Sequence, residues 1–131
     1  NPDSTRPWQH VLEPLAGYLM LAESLYKSPK EYSEGWNFGP KEKDAKSVIK
    51  IIDAFCRFWG NDAEYEIKRN PKAPHEAGYL KLDSSNAQKK LLWKPRWNSE
   101  MAVKKTVEWY KGYLEKENLE KITSAQIESY K

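Results

Sequence analysis

Apolar residues recur at intervals of three and four in three parts of the chain, which predicts three amphipathic helices. The first helix is expected from Glu13 or Pro14 to just before Pro29, and the second runs up to Gly60 and Asn61. The third follows a cap at Asn98 or Ser99. Their expected inward faces are Leu15, Leu19, Ala22 and Leu25 or Tyr26; Val48, Ile51, Ile52, Phe55 and Trp59; and Ala102, Thr106, Trp109, Tyr110 and Tyr113.

The segments between these helices alternate apolar and polar residues or are rich in proline, which predicts strands and loops. Extended segments are expected within residues 6–11, 31–40, 63–68 and 79–82, with a loop over residues 69–78. Asp83, Ser84 or Ser85 can cap a short helix carrying Ala87 and Leu91, and a last helix is expected near residues 123–130. This order predicts one small mixed α/β domain over residues 1–131, with a helix-rich C-terminal half.

Composition and charge narrow the class of protein. The 131 residues are about one domain's worth of chain, and 22 Lys+Arg against 19 Asp+Glu leave a formal net charge of +3. This near-neutral balance argues against a nucleic-acid binder, and no apolar run approaches the ~20 residues that cross a bilayer. The single cysteine, Cys56, fits a core residue and excludes an internal disulfide, so a reducing, cytoplasmic setting is expected. His10 and His75 are too far apart in sequence to form a local metal-ligand pair.

Candidate chemistry lies in three polar segments next to predicted strands, over residues 6–10, 37–43 and 72–76. The planar guanidinium of Arg6 suits a phosphate, although a surface arginine is an equal alternative. His10 at a strand end is either a hydrogen-bonded packing residue or a base. His75 and Glu76, in a proline-flanked loop, either stiffen the loop or bind a ligand. Residues alone leave these alternatives open.

Taken together, six motifs resemble bacterial CDP-glucose 4,6-dehydratases in order and spacing over nearly the whole chain. The most specific are the segments at residues 6–11 (Arg-Pro-Trp-Gln-His-Val), 36–40 (Trp-Asn-Phe-Gly-Pro) and 74–77 (Pro-His-Glu-Ala). The first of these motifs extends to residue 19 and the second begins at residue 34, and the other three motifs are the segments 79–83, 93–97 and 105–110. The chain is similar only to the second half of these enzymes, and it opens on Asn1 as if cut from something longer.

The resemblance implies an extended short-chain dehydrogenase/reductase whose Rossmann half, not represented here, binds NAD, so no cofactor and no catalytic residue are expected in this chain. The reaction it implies is a net dehydration: sugar C4 is oxidised, water leaves across C5–C6, and hydride returns to C6. This part would hold the nucleotide sugar, with Arg6 on the pyrophosphate and Gln9, His10, His75 and Glu76 as further substrate-binding residues. The implied enzyme is a cytoplasmic homo-oligomer in deoxysugar and O-antigen biosynthesis, without nucleic-acid or membrane partners.

Two positions depart from the family pattern. Ala73 stands where relatives carry a second phosphate-binding Arg, and Arg69, Lys72 or His75 could replace that cation. Leu92 stands where relatives usually have Gly before Trp93. Because a left-handed backbone would cost a leucine about 1 kcal/mol or more, we expect either a different helix end here or a position that is not left-handed. Two other functions stay open: a different nucleotide-sugar dehydratase or epimerase, and a non-catalytic nucleotide-sugar binding module.

Overall fold

The structure, a computed structural model, describes residues 1–68 and 77–131. These residues form the strands β1 (Thr5–Arg6) and β2 (Lys46–Ser47) and the helices α1 (Leu12–Lys27), α2 (Pro29–Tyr32), α3 (Val48–Trp59), α4 (Ser85–Lys90), α5 (Ser99–Leu114) and α6 (Leu119–Tyr130). The domain is mostly helical with a short two-stranded sheet, which confirms the predicted small mixed α/β class. No helix in the described ranges is long and apolar enough to cross a membrane.

The sheet brings three distant parts of the chain together at Thr5. β1 and β2 are antiparallel, with Thr5 opposite Ser47 and Arg6 opposite Lys46. On its other side Thr5 forms a parallel bridge with Tyr79: its N–H donates to the Gly78 carbonyl at 2.8 Å, and its carbonyl accepts from Leu80 N–H at 3.1 Å. The extended segment predicted around residues 79–82 is therefore confirmed at its start, and it lies beside the polar segment that follows β1.

Local signals predicted the helix ends well. The Asn98 side chain caps α5 by accepting from Met101 N–H at 2.8 Å, and α3 ends at Gly60, whose φ is 69°. The last helix begins at Leu119, earlier than expected, because Asn118 caps it by accepting from Lys121 N–H at 3.0 Å. Leu92 does adopt the left-handed conformation, with a φ of 56°, directly after α4.

The core lies between α1, α4 and the segment that follows α2. Phe38, Ala87, Leu91 and Trp93 are buried together, and the Phe38 and Trp93 rings meet edge to face at 5.2 Å. Gly17 lies under the Phe38 ring, so α1 approaches the core closely where it has no side chain. Elsewhere α3 packs against α5, and α5 packs against α6.

Two predicted strands are wrong. Residues 31–40 contain the end of α2 and then irregular chain, and residues 63–68 form no strand. A strand needs a neighbour that is hydrogen-bonded to its backbone, and no described segment forms such a ladder with either of these two. Other contacts hold them: the Trp36 indole N–H donates to the Tyr32 carbonyl at 2.9 Å, and the Tyr65 hydroxyl donates to Asp53 Oδ1 at 2.7 Å.

The predicted inward faces of α1 and α5 also need correction. In α1 the buried residues are Glu13 and Gly17, whereas Leu15, Leu19 and Ala22 of the predicted stripe are exposed, with Leu19 at 74%. Of the two alternatives for its last position, Leu25 is half-buried and Tyr26 is exposed. In α5 the prediction is confirmed for buried Ala102, and Thr106 and Trp109 are half-buried. It is wrong for two residues, Tyr110 and Tyr113, which are exposed. Periodicity identifies an apolar face, but contacts with the rest of the fold decide whether that face is covered.

Candidate functional site

The segment that links β1 to α1 carries three of the predicted site residues. Arg6 is half-buried at the end of β1, and its guanidinium donates to the Thr5 carbonyl at 2.8 Å. Gln9 Nε2 donates to the Phe38 carbonyl at 2.8 Å, which places the polar segments 6–10 and 37–43 side by side. Gln9 Oε1 is buried and accepts no hydrogen bond from the described residues. Two of the three predicted segments are thus adjacent.

His10 lies just before α1 and is buried, with 7% of its surface exposed. Its Nδ1 accepts from Leu12 N–H at 3.3 Å, so the proton of the neutral ring lies on Nε2. Burial lowers the pKa of His10, the positive charge of Lys105 lowers it further, and the negative charge of Glu13 opposes both. A neutral ring with its Nε2–H available is a hydrogen-bond donor at physiological pH.

Gln9 and His10 line one cleft of about 410 Å³ between the start of α1 and the pair α5 and α6. None of the other residues that line this cleft carries a charge. They are Val11, Leu12, Thr106, Trp109, Tyr110, Thr123, Gln126 and Ile127. Arg6 is not among the lining residues. The structure therefore brings Gln9 and His10 to a cleft suited to an uncharged, partly apolar group, and it separates Arg6 from that cleft.

A second cleft, of about 400 Å³, lies on the side of Pro7 and is lined by charged residues. Lys81 Nζ and Glu42 Oε1 are 2.5 Å apart at this cleft, and this hydrogen bond raises the pKa of Lys81 and lowers that of Glu42. Pro40, Lys41 and Asp83 also line it, so it is formed in part by the predicted segment 37–43. His75 and Glu76 lie outside the described residues.

The most heavily bonded polar side chain near these residues is Glu13, for which the sequence pattern predicts only the start of a helix. Its surface is 0% exposed. Its carboxylate accepts from Trp97 N–H at 2.6 Å, from Arg96 N–H at 3.1 Å to each oxygen, and from the Tyr130 hydroxyl at 2.7 Å. The one available signal in the sequence was a carboxylate inside the apolar run of residues 11–16.

The Glu13 carboxylate also anchors the C-terminal helix. Burial, and the hydrogen bond to Glu13, raise the pKa of Tyr130, which keeps its hydroxyl protonated as a donor. The Arg96 guanidinium lies over the Tyr130 ring and donates to the Tyr130 carbonyl at 2.5 Å and to the Lys131 carbonyl. Residues 96, 97 and 130 are thereby fixed against the first turn of α1.

The described residues fit neither a metal ion nor a dinucleotide. No group of three or more His, Cys, Asp or Glu side chains among them could hold a metal. Their sheet has two strands of two residues each, and α1 follows β1 without a glycine-rich turn that could hold a pyrophosphate. The polar groups that line the two clefts can bind and orient a ligand.

Comparison with known proteins confirms the resemblance expected from the motifs. No family model matches the chain. The chain is 45% identical over 130 residues to a CDP-glucose 4,6-dehydratase of Salmonella typhimurium strain LT2, a match that covers 99% of this chain and 36% of that protein, in its C-terminal part. It is 32% identical over 80 residues to a trifunctional UDP-glucose 4,6-dehydratase/UDP-4-keto-6-deoxy-D-glucose 3,5-epimerase/UDP-4-keto-L-rhamnose-reductase of Arabidopsis thaliana, covering 61% of this chain and 12% of that protein.

Proposed function

We propose that this chain, residues 1–131, is the substrate-binding domain of an NAD-dependent CDP-glucose 4,6-dehydratase, which forms CDP-4-keto-6-deoxyglucose. The observation that carries the proposal is the 45% identity to the Salmonella typhimurium enzyme across 99% of this chain. The chain spans only 36% of that relative. In this proposal NAD and the residues that transfer hydride and protons belong to the part of the relative that the chain does not match. Alone, the chain is expected not to turn substrate over.

Within this function each predicted residue has a distinct role. Arg6, at the end of β1, offers a planar fork of donors to the pyrophosphate. Gln9 and His10 contact an uncharged part of the nucleotide sugar, because the cleft that they line carries no charged side chain. His75 and Glu76 are proposed as further substrate-binding residues. The proposed enzyme is a homo-oligomer in the cytoplasm, within deoxysugar and O-antigen biosynthesis.

A second candidate is a dehydratase for a different nucleotide sugar, since the Arabidopsis thaliana relative is named as acting on UDP-glucose and matches 61% of this chain. Both candidates share the chemistry and differ in the base that is recognised. A non-catalytic binding module is the third reading, and it predicts binding without turnover in any context.

One chimera separates these candidates. The part of the Salmonella typhimurium enzyme that this chain does not match is joined to residues 1–131, and product is followed by mass spectrometry as loss of one water. CDP-glucose, UDP-glucose and dTDP-glucose are compared as substrates. Turnover that favours CDP-glucose supports the first candidate, turnover that favours another nucleotide supports the second, and a folded chimera that binds without turnover supports the module.

Arg6→Ala in this chimera tests the pyrophosphate contact. Loss of a charge-assisted hydrogen bond, about 1.5–3 kcal/mol, should raise the KM for CDP-glucose roughly ten- to hundredfold. The matched control is Arg57→Ala, which removes an exposed arginine that pairs with Glu100 at 2.6 Å and lies in α3. An Arg6→Ala variant with the same KM as the control would remove Arg6 from the site.

A further inference from the structure

Three aromatic rings form a continuous row beside the Glu13 carboxylate. The His10 and Trp97 ring centroids are 4.9 Å apart, and those of Trp97 and Tyr130 are 5.1 Å apart, both in edge-to-face arrangements. Glu13 Oε1 accepts from the Trp97 N–H and Oε2 accepts from the Tyr130 hydroxyl. One carboxylate therefore binds the backbone N–H of Trp97 and the ring hydroxyl of Tyr130, the two residues whose rings follow His10 in this row.

The first turn of α1 holds His10 by its backbone. Glu13 N–H donates to the His10 carbonyl at 3.0 Å, while His10 Nδ1 accepts from Leu12 N–H. The ring of His10 is thus held by the first turn of α1 at Nδ1 and contacts Trp97 at its edge. His10 lines the uncharged cleft, and the backbone N–H of its ring neighbour Trp97 donates to the Glu13 carboxylate, which links the side chain of Glu13 to that wall.

The identity of the side chain matters for this arrangement. An ionised carboxylate with 0% exposure is costly to bury and persists only where donors satisfy it. Here two backbone N–H groups and one hydroxyl do so, and these donors come from residues 83, 84 and 117 positions away along the chain. Such long-range, charge-assisted hydrogen bonds fix geometry more narrowly than an apolar contact at the same place would.

We propose that Glu13 is a positioning residue of the substrate site: its carboxylate, acting through Trp97 and Tyr130, sets the place of His10 in the wall of the cleft. This inference rests on the proposed function for its effect on substrate, but its structural part stands on the 131-residue chain alone. Glu13 itself does not contact substrate in this arrangement, since it is fully buried.

The structural part is tested by NMR on the 131-residue chain. In Glu13→Gln, which preserves size but removes the charge and one acceptor, the His10–Trp97 ring cross-peak should weaken at a temperature where the variant is folded. Glu13→Ala should weaken it further. The matched control is Ile52→Ala, which removes a half-buried side chain from α3, a helix that packs against α5 and β2. An unchanged cross-peak in folded Glu13→Gln would overturn the proposal even if Glu13→Ala does not fold.

The functional part uses the chimera with the Salmonella typhimurium enzyme. Glu13→Gln should displace His10 in the wall of the cleft but remove no reacting group. The KM for CDP-glucose should therefore rise on the order of tenfold, with kcat nearly unchanged. A merely structural role would lower the melting temperature but leave KM equal to that of Ile52→Ala, which would overturn the proposal. If the unmodified chimera has no dehydratase activity, the proposed function fails, whereas the NMR measurement still decides whether Glu13 positions His10.

Discussion

A methyl group added at Gly17 should destabilise the domain, although alanine is the better helix former. A Cβ at this position would lie 2.3 Å from Cδ1, 2.5 Å from Cε1 and 2.8 Å from Cγ of Phe38. Carbon atoms in ordinary contact are about 3.5–4.0 Å apart, so the ring would have to move by roughly 1 Å or more. Phe38 is enclosed by Tyr18 at 5.5 Å and by Trp93, which is 2% exposed, so it has little room to move.

The magnitude follows from two opposing effects. If the Phe38 ring is pushed out of its site, the loss in free energy of unfolding approaches that caused by removing a buried phenylalanine, about 3–5 kcal/mol. Better helix propensity returns about 1 kcal/mol. The free energy of unfolding of Gly17→Ala should therefore fall by about 2–4 kcal/mol, which urea denaturation followed by circular dichroism would detect as a midpoint lowered by roughly 1–2 M.

Two controls isolate the collision with Phe38. Ala22→Gly, at an exposed position of the same helix, measures helix propensity alone and should cost about 1 kcal/mol. Combining Gly17→Ala with Phe38→Leu makes room for the methyl group, so the double variant should be more stable than the sum of the single changes predicts, by about 1 kcal/mol or more. A Gly17→Ala chain as stable as the unmodified one would refute the close approach of α1 to Phe38.

Three further measurements test the local geometry. Tyr130→Phe should lower the free energy of unfolding by about 1.5–3 kcal/mol, because it takes a donor from the buried Glu13 carboxylate, and a loss near zero would contradict that bond. Leu92→Gly should raise it by about 0.5–1 kcal/mol, since Leu92 is left-handed and 75% exposed, and a decrease would show that its side chain contributes to packing. The pKa of His10 is lower in the folded chain than its ordinary value of 6.5. Below pH 6.5 the unfolded chain therefore binds a proton at His10 more readily than the folded chain does, so the free energy of unfolding should be highest above that pH and fall below it. His10→Asn, whose side-chain oxygen can still accept from Leu12 N–H, should flatten this decline, and an identical pH profile would exclude His10 as its source.

Part of the candidate site could be predicted from the sequence and part could not. Gln9 and His10 belong to the polar segment 6–10 that the sequence places next to a predicted strand, and in the structure they line one cleft together. Their contact with substrate, like that of Arg6, His75 and Glu76, stays a prediction. Glu13 escaped prediction because its hydrogen-bond donors, Arg96, Trp97 and Tyr130, are far away in sequence.

The sequence by itself determined the main helices and their ends. The periodicity of residues 48–59 and the caps at Asn98 and Gly60 act within a few residues, so a local pattern is enough to specify them. Only the tertiary structure decided the strands and the buried faces: residues 31–40 and 63–68 have strand-like patterns but pair with no described neighbour, and the apolar stripe of α1 faces outward. Strand pairing and burial depend on which distant segments meet, and a carboxylate such as Glu13 can be buried only where the fold supplies its donors.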